Sequence, residues 1–429
     1  MKQDYVILEM QESPASAWPR SESRAGAGLV RPRELEFKSL GRSDDLLFRG
    51  KPRVSTSAKV RSARLTDKAA QEQQRDGAVA AVAPVMPMRL IEPVAVVEPS
   101  GTKVKGAEIA TAWGLDAIGA TINGIDVSDR WDGNGIVVAV LDTGIDPKHP
   151  AFKGVELVQK NFTKESANDT HGHGTHCAAT IFGRNVGDVR IGVARGVKKA
   201  LIGKVLGEGG GGSDQIAKAI QWALEGGAHV ISMSLGMDFP GYVRSLMAGG
   251  MKPEPATSLA LEGYRANLML FERLAMYVGS RSLLPGMAPT LLIAAAGNES
   301  QRNAKAAFQI AVSPPAVSDG FISVGALGQT GKGLSIASFS NTGARVCGPG
   351  VNILSAKSGG GLTEMSGTSM ATPHVAGVAA IWAQKLQAGG ALTLNNWRDK
   401  MLGAASNAGF AAGFAAADVG AGMIRVPQS

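Results

Sequence analysis

The stretch IVVAVLD at residues 136–142 is an unbroken apolar run that stops at an acidic side chain and a glycine turn. A second, mostly apolar run occupies residues 228–233, where His229 and Ser232 interrupt it, and a third occupies residues 291–296; each is bounded by Gly, Asp or Asn. Runs of this length are typical of strands buried on both faces, and helical patterns at 213–225 and 256–278 separate them. The alternation predicts an α/β fold with a doubly wound, mostly parallel sheet flanked by helices.

The composition of the 429-residue chain fits a protein that buries a core, since 44% of its residues are hydrophobic. The net charge is +8, but the basic residues are interspersed with acidic ones, so we expect no nucleic-acid partner. The two cysteines, Cys177 and Cys347, allow at most one bridge, which excludes a disulfide scaffold.

The N-terminal residues 1–24 contain one short apolar run, at residues 5–8, which is too brief for a signal peptide. No stretch of the chain approaches ~18 uninterrupted apolar residues, the length that a membrane-spanning helix requires. We therefore expect no membrane span, and a protein that is cytoplasmic or exported by a non-classical route.

The first 100 residues have the pattern of a small α+β module. Residues 4–8 and 78–85 look like strands, and a helical stretch lies near 69–75. The segment 12–70 is rich in Arg, Ser and Pro, which predicts loose or partner-dependent order.

A linker separates this module from the rest of the chain. Residues 92–106 carry two prolines, two glycines and two lysines without a clear period. We accordingly divide the chain into a module at 1–100, a linker at 101–110 and a main domain at 111–429.

Two polar motifs suggest acid–base chemistry. Asp142 ends the first buried strand, at the sheet edge where α/β sites are built, although an Asp there is more often a turn former. The motif GHGTHC at 172–177 places His173 in a glycine-framed turn, as a general base requires. A zinc site is the rival interpretation, with ligands from His171, His173, His176 and Cys177. No nearby Glu and no second Cys or His cluster accompanies them.

Two further motifs suggest acyl transfer. The motif GTSMATPH at 367–374 places Ser369 at the start of a helix, where it is a candidate nucleophile or an ordinary helix cap. The α/β-hydrolase motif G-x-S-x-G is not matched, because Ala371 occupies its last position. Asn298 follows the third apolar run, where its amide could donate to an oxyanion.

Taken in the order Asp142, His173, Asn298 and Ser369, these motifs resemble those of the subtilisin-like serine proteases, the subtilases. The likeness covers about residues 111–426. It implies a serine endopeptidase in which Asp142, His173 and Ser369 form the triad and Asn298 holds the oxyanion. It also implies that peptide substrates bind as an added strand, contacting Gly209, Gly210, Gly211, Gly212, Ser234, Leu235, Gly236, Ala294, Ala295, Ala296 and Gly297.

The resemblance also implies roles outside the triad. Residues 1–100 would act as a propeptide, an intramolecular chaperone and inhibitor removed by self-cleavage between about Val94 and Ala110. A permanent regulatory or targeting domain is the competing interpretation. The pocket before the cut would accept medium to large uncharged residues, with Glu299 tolerating a basic one. A peptide-capturing pseudoprotease and a protease dedicated to one partner are the alternative functions.

The sequence departs from the family in two informative places. The chemistry needs no cofactor, but a family calcium site commonly uses an Asp after His-Pro, and Ala151 stands there. An insertion follows Gly236. We predict that it contains a loop at 237–255 that borders the groove and narrows specificity, and a helix that buries Leu261, Tyr264, Leu268 and Phe271 on one face.

Overall fold

The computed structural model of the chain describes residues 2–12, 55–95, 112–122, 125–126 and 130–427. Its strands are β1 (Lys2–Glu12), β2 (Ser55–Thr66), β3 (Val79–Pro84), β4 (Pro87–Leu90), β5 (Thr121–Ile122), β6 (Ile125–Asp126), β7 (Val137–Asp142), β8 (Glu156–Asn161), β9 (Lys199–Lys204), β10 (Gly211–Gly212), β11 (Val230–Met233), β12 (Leu235–Met237), β13 (Leu291–Ala295), β14 (Phe321–Thr330), β15 (Gly333–Ile336), β16 (Val346–Pro349), β17 (Ile353–Ala356) and β18 (Leu362–Met365). Its helices are α1 (Asp67–Gln74), α2 (Trp113–Ala117), α3 (His173–Phe182), α4 (Ser213–Glu225), α5 (Phe239–Ala248), α6 (Pro253–Arg281), α7 (Thr368–Ala388), α8 (Leu394–Gly403) and α9 (Ala416–Val419), with a 3-10 turn at Pro150–Phe152.

Eight strands form the main sheet, in the order β15-β14-β13-β11-β7-β9-β8, with β16 also paired to β14. Every pair is parallel except β14 with β15. Strands β7, β11 and β13 are the three apolar runs of the sequence, and they lie side by side at the centre. Their carboxyl ends meet at one edge, where an open α/β sheet places its site. This is the predicted doubly wound, mostly parallel sheet.

The sheet is covered by helices on both faces. One face packs against α3 and α7, which bury Phe182, Val375 and Ile381. The opposite face packs against α4 and α6, which bury Ile220 and Phe271. Full burial of each such side chain stabilises the fold by roughly 1.5–3 kcal/mol, so both helix layers are held firmly against the strands.

The N-terminal module is joined to the second of these layers. Its strands pair antiparallel in the order β2-β1-β3. Val6 and Leu8 belong to the same apolar cluster as the residues of α4 and α6. Asn267 of α6 also donates a hydrogen bond to the carbonyl of Pro84, at 2.8 Å. The module and the main sheet therefore share one continuous core.

The prediction of loose order over 12–70 is wrong for part of that segment. Strand β2 and the start of α1 lie within it, while residues 13–54 lie outside the described residues. Ala58 and Val60 are buried while Lys59 points outward, and Arg61 pairs with Glu9 at 2.5 Å. Buried and exposed side chains alternate along β2, as they do in a strand with one buried face. The polar side chains of the exposed face gave the segment the composition of a loosely ordered one.

The insertion also differs from its prediction. Most of the predicted loop at 237–255 is helix α5, because Asp238 caps Gly241 and Pro240 lies in the first turn. In α6, Leu261 is exposed, and the buried stripe instead includes Gly263, Asn267, Leu270 and Leu274. The stripe contains a glycine and an asparagine because it faces Met86 and Pro84 of the N-terminal segment.

Among the described residues, no helix combines the length and the apolarity that crossing a membrane would require.

Candidate active site

Asp142 and His173 form a buried pair at the carboxyl edge of the sheet. Asp142 ends β7, and His173 begins α3 after Gly172, whose φ of +87° turns the chain into the helix. Their side chains are 1% and 0% exposed, and Oδ1 of Asp142 lies 2.8 Å from Nδ1 of His173. The carboxylate therefore holds one ring nitrogen and leaves Nε2 free for chemistry, since Nε2 has no hydrogen-bond partner in the described part of the chain.

The pKa of His173 is set by two opposing effects. Complete burial alone would lower it, because burial disfavours the charged ring. The negative charge of Asp142 and the hydrogen bond between the two side chains act the other way, and the pKa stands well above the usual 6.5. The neighbouring His176 has no such partner, and burial lowers its pKa to about 3. The pKa values of the two histidines in the motif are thus shifted in opposite directions, upward for His173 and downward for His176.

Asp169 holds the histidine turn in place, and the sequence reasoning missed it. Its Oδ1 accepts from Gly172 N and Thr143 Oγ1, both at 2.8 Å. Its Oδ2 accepts from the backbone N and the hydroxyl of Thr175, at 2.8 and 2.6 Å. The available signal was an Asp three residues before a turn glycine, a position from which its side chain can bond the backbone.

Ser369 is fixed in the first turn of α7. Pro373 lies in the second turn of this helix, and it has no N–H to bond the carbonyl of Ser369 four residues earlier. That carbonyl instead accepts from Ser234 Oγ at 3.2 Å and from Cys177 Sγ at 3.3 Å. The proline thus frees the serine's own backbone to bind the neighbouring strand end and the histidine helix.

The Ser369 hydroxyl and the Asn298 amide both contact the segment that follows β4. Ser369 Oγ donates to the carbonyl of Ile91, at 2.9 Å. Asn298 Nδ2 donates to the carbonyl of the next residue, Glu92, also at 2.9 Å. Asn298 is oriented by its Oδ1, which accepts from Thr368 N and Oγ1 at 2.8 and 2.9 Å. Two of the four residues predicted for chemistry, Ser369 and Asn298, therefore contact adjacent carbonyls of one stretch of the chain itself.

Strand β4 occupies the groove predicted for a substrate. It lies antiparallel between β10 and β12, with Gly211 opposite Met88 and Gly236 opposite Arg89. The amide of Ile91 donates to the Ser234 carbonyl at 3.4 Å. The predicted groove residues Gly211, Gly212, Leu235 and Gly236 thus pair directly with β4, and Gly209 and Gly210 line the cavity beside it.

The predicted pocket wall is the end of β13 and the turn after it. Ala294, Ala295 and Ala296 are buried, and Gly297 has a φ of +112° that favours glycine. A side chain at Gly297 would also meet Glu299 and Asn341. These two residues are hydrogen-bonded to each other, since Glu299 Oε2 accepts from Asn341 Nδ2 at 2.6 Å. The carboxylate of Glu299 is thereby tied to the protein.

The residues considered for zinc do not gather as one set. Within the described ranges, the group with ligand atoms close together is Asp142, His173 and Cys177. His176 Nε2 instead pairs with the Ile353 carbonyl at 2.9 Å, and His171 lies 3.4 Å from the carboxylate of Glu92. At the calcium position, Ala151 is fully buried and offers no side-chain oxygen, so this position does not fit a ligand.

Comparison with known proteins gives a consistent result. The model of the subtilase family matches residues 133–422. The chain is 35% identical over 252 residues to a thermostable alkaline protease of Halalkalibacterium halodurans, covering 58% of this chain and 57% of that protein. It is 34% identical over 257 residues to subtilisin Savinase of Lederbergia lenta, covering 59% and 78% of the two chains.

A solved structure is similar in fold. Fervidolysin from Fervidobacterium pennivorans, described as a keratinolytic enzyme related to subtilisin, matches with a TM-score of 0.62 and 24% identity. The match covers 86% of this chain and 57% of that one. The predicted family resemblance and fold class are confirmed, while the chain spans less than two thirds of the length of several relatives.

Proposed function

Because the chain belongs to the subtilase family, we propose that it is a serine endopeptidase that hydrolyses peptide bonds through Asp142, His173 and Ser369. One observation carries the proposal: a chain segment lies in the groove with the carbonyl of Ile91 against Ser369 Oγ. Cys177 Sγ lies 3.3 Å from the carbonyl oxygen of Ser369 and 3.7 Å from Nδ1 of His173, so the serine and the histidine belong to one site. Intact protein and peptide chains are the substrate class that such a groove accepts.

In acylation, Ser369 Oγ attacks the carbonyl carbon of the residue before the cut, and its proton passes to Nε2 of His173. The carbonyl electron pair moves onto the oxygen, where Asn298 Nδ2 and the Ser369 backbone N–H stabilise the charge. The C–N bond then breaks as His173 returns the proton to the leaving amine. Asp142 keeps the ring in the required tautomer and stabilises the imidazolium.

In deacylation, a water molecule takes the place of the amine. His173 removes its proton while the water oxygen attacks the ester carbon, and the proton then returns to Ser369 Oγ as the C–O bond breaks. The products are a free carboxylate and the restored hydroxyl. The proposed steps need no cofactor, and structural calcium stays a family expectation that lacks a ligand at Ala151.

The N-terminal residues 1–91, most of the module predicted at 1–100, are proposed to be an inhibitory propeptide rather than a permanent regulatory domain. Strand β4 fills the groove between β10 and β12, so no second peptide can pair there while it remains. The core that the module shares with α4 and α6 supports a further role in folding, because parallel sheets form slowly and benefit from early contacts.

Self-cleavage is proposed at the Ile91–Glu92 peptide, earlier than the predicted interval of 94–110. Ile91 is 5% exposed and its amide pairs with Ser234, whereas Glu92 is exposed and precedes Pro93. Residues 96–111 lie outside the described residues. In the structure Asn298 contacts the Glu92 carbonyl instead of that of Ile91, so a small shift of the strand must precede reaction.

The pocket before the cut is proposed to prefer medium to large uncharged side chains. Ile91 itself is such a residue, and its side chain packs near Gly236. The bond from Glu299 to Asn341 makes its carboxylate a weak attraction for a basic residue. Acidic residues dominating this position in a digest of denatured protein would contradict the proposal.

The test is intact mass spectrometry of the full chain and of Ser369→Ala after exposure to a fluorophosphonate, with Ser282→Ala at the end of α6 as the matched control. We expect an adduct and a new N-terminus at Glu92 in the wild type and in the control, and neither in Ser369→Ala. Full-length, unlabelled protein in every sample would favour a peptide-capturing pseudoprotease. If the adduct forms but only one protein is cleaved when the enzyme is incubated with a bulk proteome, the result would favour a protease dedicated to one partner.

A further inference from the structure

We propose that Asp238 selects a basic side chain at the third residue before the cut, an inference that rests on the proposed endopeptidase function and narrows its substrates. With Ile91 as the residue before the cut, the third residue is Arg89, which pairs with Gly236. Asp238 belongs to the insertion and lies just after β12.

The strand geometry directs Arg89 towards Asp238. Alternate side chains of a strand point to opposite sides, and Met88 of β4 is fully buried. The side chain of Arg89 consequently points outward, where it is 62% exposed, and its Nε lies 2.6 Å from Asp238 Oδ2. The aliphatic part of Arg89 lies close to Gly210 on the other edge of the groove.

Asp238 is held in position before any substrate arrives. Its Oδ1 accepts from Gly241 N at 2.9 Å and so caps α5, whose first turn contains Pro240. Once a chain occupies the groove, as β4 does here, the backbone N of Asp238 also donates to the Pro87 carbonyl at 3.2 Å. A carboxylate fixed in this way loses little conformational entropy when a cation binds.

The second oxygen of Asp238 lacks any other satisfying partner. Oδ2 is buried and makes no well-aligned hydrogen bond in the described part of the chain, although the Asp238 side chain as a whole is 14% exposed. A buried anionic oxygen without a donor is costly, and an arginine or lysine nearby offsets that cost. A neutral or acidic third residue leaves the cost in place.

The surroundings support a cationic ligand. A cavity of about 460 Å³ beside β4 is lined by Arg89 together with Glu165 and Glu208. Lys204 also lines this cavity, but its Nζ donates to the Asn168 carbonyl at 2.8 Å. Because Arg89 is largely in water, we expect a preference of about fivefold, the upper end for exposed pairs.

The test compares peptides that carry the chain's own sequence PMRLI, residues 87–91, before a fluorogenic leaving group, with Arg, Gln or Glu at the third position. We expect the self-processed wild type to show a kcat/KM about fivefold higher for Arg than for Gln, and lowest for Glu. In Asp238→Asn, which still caps α5, the Arg-to-Gln ratio falls to about one. In Asp238→Lys the order of Arg and Glu reverses. Asp319→Asn, an exposed acid outside the groove, keeps the wild-type ratio.

The outcomes separate this inference from the proposed function. Hydrolysis of all peptides with an equal ratio in wild type and Asp238→Asn overturns the role of Asp238 and leaves the endopeptidase standing. A general loss of helix packing lowers kcat/KM for all peptides equally and does not move the ratio. No hydrolysis and no fluorophosphonate adduct overturns both proposals.

A second measurement uses self-processing, which requires no added substrate. Arg89→Glu should slow release of the N-terminal fragment about fivefold or more, and adding Asp238→Lys should restore the rate. Equal rates in wild type and Arg89→Glu would also overturn the inference.

Discussion

Two ion pairs in this molecule have nearly equal lengths and very different surroundings. Asp142 and His173 are 2.8 Å apart and almost fully buried, whereas Arg89 and Asp238 are 2.6 Å apart with the arginine mostly in water. Charges interact far more strongly away from water. The buried pair can therefore shift the protonation of a side chain, whereas the exposed pair can give only a modest preference for one substrate side chain over another. Burial, rather than distance, distinguishes the proposed reaction centre from the proposed selective site.

The largest expected effect comes from breaking the buried pair. Asp142→Asn keeps the shape but favours the wrong His173 tautomer, and we expect kcat to fall about 10⁴-fold, as this change does in other serine proteases. Peptide hydrolysis measures the loss. Asp319→Asn, with the same charge change at an exposed position, should stay near wild type, and a similar loss in both variants would contradict the assignment.

A smaller effect should follow from removing the oxyanion donor. Asn298→Ala loses the Nδ2 group, and we expect kcat to fall about 10²- to 10³-fold with little change in KM. Thr368→Val removes one of the bonds that orient Asn298 and should cost less. If the threonine variant lost as much activity as Asn298→Ala, the amide would act through helix packing rather than through the oxyanion.

The pH profile gives the smallest effect and tests the pair directly. His173 must be neutral to accept a proton, and Asp142 raises its pKa above the usual 6.5. Activity should thus be lost as pH falls through that raised pKa, about tenfold per unit on the acid side. Residual activity of Asp142→Asn should extend to lower pH. A wild-type kcat/KM that stays flat down to pH 5 would contradict the raised pKa.

The residues of the buried pair could be selected from the sequence, whereas the contact between Arg89 and Asp238 could not. Asp142 and His173 lie in motifs whose glycines and apolar strands can be recognised locally. Arg89 and Asp238 are far apart in the chain, and their meeting depends on β4 entering the groove. The prediction that Leu261 is buried was wrong because it used only the spacing of apolar residues along the helix. The face of α6 that is actually buried is set by contacts with Met86 and Pro84, which are distant in the chain.

Strand β4 has a consequence for the proteins that this chain could digest. The gap between β10 and β12 is one strand wide, so an incoming chain must be extended over several residues. A folded protein reaches that state only by opening locally, and where opening and closing are fast its digestion follows the population of the open form. Each 1.4 kcal/mol of local unfolding free energy in the substrate should then slow digestion about tenfold. Because the groove admits a single extended strand, the rate of the proposed cleavage should report the local stability of the folded substrate.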